Sequence, residues 1–230
     1  MSLHAIVFAG PSLGGSVMAL PDGVELRGPA RRGDMLRAAI ERPAAIGLID
    51  GLFETTPSVW HKEIIQVMAE GIAVYGAASL GALRAAELAP FGMVGIGAIA
   101  QAYEMGQIER DDAVMVSHAP AELGHRAMTL ALVDAEHAIA QVEMAAGDRA
   151  LLLRLARRMN FRDRCWALIG DAFRQATGRD LPPIDQGLSL KRKDAELLLR
   201  TIAGPVAAPR VAPPPQSFFL RSLRAEISAA

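Results

Sequence analysis

The sequence predicts an α/β fold: an open, mostly parallel sheet of about five strands flanked by helices and followed by an α-helical C-terminal extension. Three observations lead there. Over residues 1–125, short apolar runs alternate with helix-like segments, the pattern of a parallel sheet covered by helices. Most of the runs end in glycine or a polar residue. Beyond Ala121 the strand-length runs stop, and segments rich in Ala, Leu and Arg take over.

The first predicted strand is residues 3–9. Met1 to Pro21 carry no Asp, Glu, Lys or Arg, yet there is no basic leader region, and the apolar run Ala5 to Ala9 is broken at once by Gly10 and Pro11. A buried strand fits better than a secretory signal. Residues 45–49, 72–75, 93–96 and 113–116 are the other predicted strands, and 34–41, 57–70, 80–88 and 99–106 the helices among them. The second helix has a start signal, because Thr56 can cap it and Pro57 loses no needed N–H at the first helical position. Residues 127–146, 149–158, 162–176 and 191–202 read as further helices, with Pro182 and Pro183 parting the last two. The five prolines of residues 204–215 make a semi-rigid linker. It leads to residues 217–227, where Phe218, Phe219, Leu220, Leu223 and Ile227 form a candidate docking stripe. The expected division is an α/β core (1–125), a helical extension (126–203) and a Pro-rich linker with a short terminal segment (204–230).

Composition narrows the function. With 230 residues, 51% apolar and 21% charged, the chain can build a full core and is not a disordered one. The lone Cys165 excludes a disulfide framework and any zinc site of several thiolates, so a cytoplasmic location is expected. The uncharged stretches 71–83 and 91–103 fall well short of the ~20 residues that span a bilayer. A net charge of −1 argues against a nucleic-acid binder, as do the few aromatics, Phe161, Trp166 and Phe173, among the arginines of the extension. That average hides a split: residues 1–147 hold 9 basic and 17 acidic groups, residues 148–230 hold 15 and 8.

Ligands of open parallel sheets bind beyond the carboxyl ends of the strands. Those ends carry Gly10-Pro11-Ser12-Leu13, Asp50-Gly51, Gly76-Ala77-Ala78-Ser79-Leu80-Gly81 and Ser117-His118-Ala119-Pro120. Ser79, with small residues two before and two after it at a strand-to-helix junction, fits a nucleophile elbow, although Ala77 replaces the usual glycine. It fits a helix cap as well. A serine nucleophile needs a base, for which His118 and His61 are candidates, and Asp50 or Glu54 could orient it. Arg84 and Glu87 are either a surface ion pair or, for Arg84, an anion contact. Arg31 and Arg32 could bind a carboxylate or phosphate, with Asp34 capping the following helix. The loop Gly10, Pro11, Ser12 could cradle an anion, but it has neither a P-loop ending nor GxGxxG spacing, so ATP binding is unsupported. Trp60-His61-Lys62-Glu63 is not HExxH, and His137 and His125 have no second ligand at metal spacing, which leaves no expected metal site.

Three strings, Ile46-Gly47-Leu48-Ile49-Asp50-Gly51-Leu52-Phe53-Glu54, Val59-Trp60-His61-Lys62-Glu63-Ile64 and Val74-Tyr75-Gly76-Ala77-Ala78-Ser79-Leu80-Gly81-Ala82-Leu83-Arg84-Ala85-Ala86-Glu87-Leu88, resemble the TfuA-like core domain. Gly10-Pro11-Ser12-Leu13, Gly33-Asp34 and His118-Ala119-Pro120-Ala121-Glu122 fit it too, so the resemblance spans about residues 3–125. It implies a part in sulfur chemistry. Proteins of this kind accompany YcaO enzymes, which use ATP to exchange a peptide amide oxygen for sulfur, and are thought to help supply that sulfur. The implied partners are a YcaO-type enzyme, a ubiquitin-like sulfur carrier and the precursor peptide. No cofactor is expected in this chain, since ATP would be used by the partner. Combined with the elbow, the resemblance suggests that Ser79 attacks the carrier's C-terminal thiocarboxylate and releases hydrosulfide, with Gly10, Pro11, Ser12, Leu80, Arg84, Glu87 and the 31–34 segment around the substrate. The competing expectation is a binding module that docks the same partners without covalent chemistry. Because Cys165 lies outside the resembling stretch, a persulfide relay through it is not expected.

Overall fold

A computed structural model describes residues 4–52, 56–207 and 210–228. Five parallel strands, β1 (Ala5–Phe8), β2 (Val24–Arg27), β3 (Ala45–Leu48), β4 (Ala73–Ala77) and β5 (Val94–Ile96), lie in the order β2-β1-β3-β4-β5. This doubly wound order reverses direction between β1 and β3, where a crevice opens at the strand ends. The central strands β1 and β3 are buried at every residue, as apolar runs covered on both sides must be.

Two expectations are corrected. Val24-Glu25-Leu26-Arg27 is a strand that its charged residues conceal, because at the sheet edge only Val24 needs burial. Residues 113–116 are not a strand. A 3-10 turn, Asp111–Ala113, is followed by extended chain in which the carbonyl of Val114 serves side chains instead of a sheet neighbour.

The helices are α1 (Asp34–Ile40), α2 (His61–Ala69), α3 (Leu80–Leu88), α4 (Ala98–Glu104), α5 (Leu132–Ala140), α6 (Ala146–Arg158), α7 (Trp166–Thr177), α8 (Leu190–Ile202) and α9 (Phe218–Ser228). Helix α2 starts four residues later than Pro57 would place it: Trp60 is its N-cap, and the Glu63 carboxylate accepts the Trp60 N–H at 2.7 Å. The predicted helix 127–146 is shorter, α5 ending where the Arg149 guanidinium takes up the carbonyls of Ile139, Ala140 and Val142.

Helices α1, α2 and α3 carry the crossovers from β2 to β5 and pack on one face, where Ile6, Phe8, Ile46, Leu48 and Val74 meet Met35, Ile64, Met68, Leu80 and Leu88. Leu220, Leu223 and Ile227 of α9 join this core, while Phe218 and Phe219 stay 68% and 67% exposed. The β1-to-β2 connection contains only the 3-10 turn Pro11–Leu13, so no crossover helix covers the other face. Helix α8 fills the gap. Its Ala195, Leu198, Leu199 and Ile202 pack on Ala5, Val7, Ala45, Ile49, Ala73 and Ala77, a face of mostly small residues that lets the helix come close. A side chain on Gly47 would meet Leu198 at 2.8 Å. A third core joins α3 and α4 to α5, α6 and α7 through Leu83, Ile99, Leu132, Leu152 and Phe173. Among the described residues, no helix is long and apolar enough to cross a membrane.

Much of the extension's positive charge is used inside it. Arg164, fully buried, donates to the carbonyls of Ala156 and Met159 at the end of α6, and Arg157 and Arg179 pair with Glu136 and Asp148.

Candidate functional site

The switch point between β1 and β3 is organised by Asp50. Its carboxylate, 2% exposed, accepts the N–H groups of Gly10 and Ser12 at 2.8 and 2.9 Å and the Ser12 hydroxyl at 2.6 Å. Three hydrogen bonds satisfy a buried anion and pin the loop after β1 to the end of β3. They tie Asp50 to that loop, and among the described residues no histidine hydrogen-bonds to it.

At the end of β4, Ala78 has φ +63° and the N–H of Ser79 returns to the carbonyl of Ala77 at 2.6 Å. A positive φ with an i→i+2 hydrogen bond is a strained γ-turn, and it throws the chain from strand to helix. The turn is locked by close backbone approach, since a Cβ on Gly76 would lie 2.0 Å from the carbonyl oxygen of Gly81, and one on Gly81 would lie 1.7 Å from that of Leu48. The glycines that a tight strand-to-helix turn demands are therefore Gly76 and Gly81, not the position of Ala77. Ser79, 4% exposed, donates its hydroxyl to the carbonyl of Val114 at 3.4 Å. Among the described residues, neither the Leu80 N–H that opens α3 nor the N–H of Gly51, which follows β3 and packs its Cα against the Leu80 side chain, has an acceptor.

A cavity of about 260 Å³ opens over this turn, lined by Pro11, Asp50, Gly51, Leu52, Ser79, Val116, His118 and Phe161 among others. It brings together Ser79, Asp50, Pro11 and His118 of the sequence-derived set. His118 does not bond to Ser79; its Nδ1 lies 2.8 Å from the carbonyl of Ala119, and its ring meets the edge of His125 at 5.5 Å. Burial, and then the neighbouring His118, lower the pKa of His125. Other candidates lie elsewhere. His61, Arg84 and Glu87 form one cluster on α2 and α3, with His61 and Glu87 exposed and Arg84 mostly covered, Glu87 bonding to His61 at 2.8 Å and to Arg84 at 2.5 Å. Arg31 and Arg37 flank Asp34, whereas Arg32 lies over Trp60 and pairs with Glu226 of α9. Glu54 lies outside the described residues.

The sequence reading missed Lys191. This residue of α8 is 3% exposed, and its ammonium donates to the carbonyl of Val114 at 2.7 Å, the oxygen that also receives the Ser79 hydroxyl. Burial pushes its pKa down, against the opposing pull of the Asp50 and Asp134 charges. Asp134 holds the start of α8 in place, accepting the Lys191 N–H at 3.0 Å and the Ser189 hydroxyl at 3.2 Å. Lys191-Arg192-Lys193 reads as a solvated basic run, but Lys191, Ala195, Leu198 and Ile202 share one helix face, and that spacing marks the lysine as buried. A neutral lysine that shares an acceptor with a serine hydroxyl is a candidate general base, as in Ser-Lys variants of the hydrolase triad.

Among the described residues, one group of three possible metal ligands converges, His4, Glu25 and Glu41. It is exposed, away from the crevice, and Arg27 already binds both carboxylates.

Compared with known families, residues 50–165 match the family model described as TfuA-like protein. The match takes in Ser79, Val114 and His118 and ends at Cys165, so the cysteine is its last residue and not outside it; Lys191 lies beyond it. No curated protein matches the chain.

Proposed function

Because the chain belongs to the TfuA-like family, associated with YcaO systems of thioamide biosynthesis, we propose that it supplies sulfur to a YcaO-type enzyme by hydrolysing the thiocarboxylated tail of a ubiquitin-like carrier. The observation that carries this reading is the convergence of the Ser79 hydroxyl and the Lys191 ammonium on one carbonyl oxygen, that of Val114. In the proposed step, Lys191 in its neutral form, which burial favours, takes the Ser79 proton as Oγ bonds to the thiocarboxylate carbon. The open N–H groups of Gly51 and Leu80 are the candidate donors for the extra negative charge of the tetrahedral intermediate. The C–S bond then breaks, sulfur takes the proton back from Lys191, and hydrosulfide leaves an acyl ester on Ser79. Water cleaves the ester, giving the carrier carboxylate and restoring the hydroxyl. In this reading His118, on the cavity wall, serves the water step.

The test is sulfide release from purified thiocarboxylated carrier, with mass spectrometry of the acyl-enzyme. Ser79→Ala is expected to lower release by about a thousandfold or more. Lys191→Arg is expected to lose most of the rate as well, since a guanidinium cannot act as base. Unchanged release by Ser79→Ala would refute the mechanism. A second reading draws on the free-state geometry, in which Ser79 makes no direct bond to a base and Asp50 is fully engaged. Here the crevice is a recognition cleft for YcaO and the carrier, and Ser79→Ala would leave YcaO stimulation intact.

A further inference from the structure

A second cavity, of about 300 Å³, lies on the α8 side of the crevice. It shares Pro11 and Val116 with the cavity over Ser79, so those residues form a partition between the two. Its basic wall residues are Lys191, Arg126 and Arg192 against a single carboxylate, Asp134. Asp134 is already engaged by the start of α8, and Arg192 is spent on the carbonyls of Gly14 and Gly187. Arg126, exposed at the rim, has no side-chain partner among the described residues. The Lys191 ammonium has three N–H donors, of which one is used, on Val114. Once Lys191 regains a proton from solvent after the C–S bond has broken, its ammonium, with spare donors and facing a cavity whose other free charge is a guanidinium, is built to receive a small anion.

We propose that this cavity is a binding site for a small monovalent anion, and that the anion is hydrosulfide on its way out from Ser79. The identity of the anion rests on the hydrolase reading; the site itself does not. The carrier tail then enters over Ser79, the sulfur leaves across the partition, and the two never compete for one opening.

Bromide, a monovalent anion without sulfur chemistry, serves as the probe. Broadening of its NMR signal by the free protein is expected, with affinity about tenfold weaker in Arg126→Gln, a rim substitution that leaves the fold alone. Lys191→Met is expected to abolish it, with circular dichroism as the folding control. In turnover, bromide is expected to inhibit sulfide release without competing with the carrier. Broadening unchanged in Arg126→Gln, or inhibition competitive with the carrier, would overturn the inference. Bromide binding that depends on Arg126 in a protein that releases no sulfide would keep the anion site and remove the hydrolase reading.

Discussion

Glu63 shows how one residue can store a pH dependence. It is fully buried, and its two oxygens accept the N–H groups of Gly33 and Trp60, both at 2.7 Å. Those bonds favour the anion, but burial outweighs them and lifts its pKa from 4.5 to about 7. Between those values the folded chain holds a proton that the unfolded chain has lost, so this contribution is full below pH 4.5 and is lost as pH rises through 7. A shift of that size corresponds to on the order of 3 kcal/mol. Urea midpoints from pH 5 to 8 are expected to fall for the native chain and to run flatter for Glu63→Gln. At this scale the sequence was half legible. Ser79 and Asp50 announce themselves by standing at strand ends, where small residues make room for chemistry. Lys191 does not, because its burial depends on a helix docking on a sheet more than a hundred residues away in the chain.

Among the elements, α8 reaches furthest. Asp194, one turn beyond Lys191, accepts the N–H groups of Ala98 and Ile99 at 3.1 and 2.8 Å, capping α4 from outside. Gly97, with φ +91°, has no space for a side chain there, since a Cβ would lie 2.2 Å from the Asp194 carboxyl carbon. Asp194→Ala is expected to cost about 1–2 kcal/mol by thermal or chemical unfolding, with Asp194→Asn recovering part of it. Because Lys191 and Asp194 lie on one turn, the alanine variant is also expected to slow sulfide release by loosening the lysine. The elements themselves were largely legible from period and punctuation: α3 falls on residues 80–88 as expected, and α1 and α8 agree to within a residue. The exceptions have physical causes. An edge strand such as β2 carries charge, and the apolar residues around Val114 are buried by side chains, not by strand pairing.

For the molecule as a whole, the boundary near residue 125, where the strand pattern stops, does not separate the packing, because α8 covers the face that β1, β3 and β4 present opposite α1 and α2. Residues 1–125 produced alone are therefore expected to show no cooperative unfolding transition, and co-production of residues 126–230 to restore one, checked by calorimetry of the copurified pair. The charge split has a related explanation, since arginines such as Arg149 and Arg164 close helix ends within the extension. The missing crossover helix between β1 and β2 also sets an order in time. During synthesis the first strands emerge early, but the helix that covers them and carries Lys191 arrives only after about 200 residues, so the contacts of greatest sequence separation form last. A nascent or truncated chain that stops short of α8 holds Ser79 without Lys191, and on the proposed mechanism it cannot liberate sulfide.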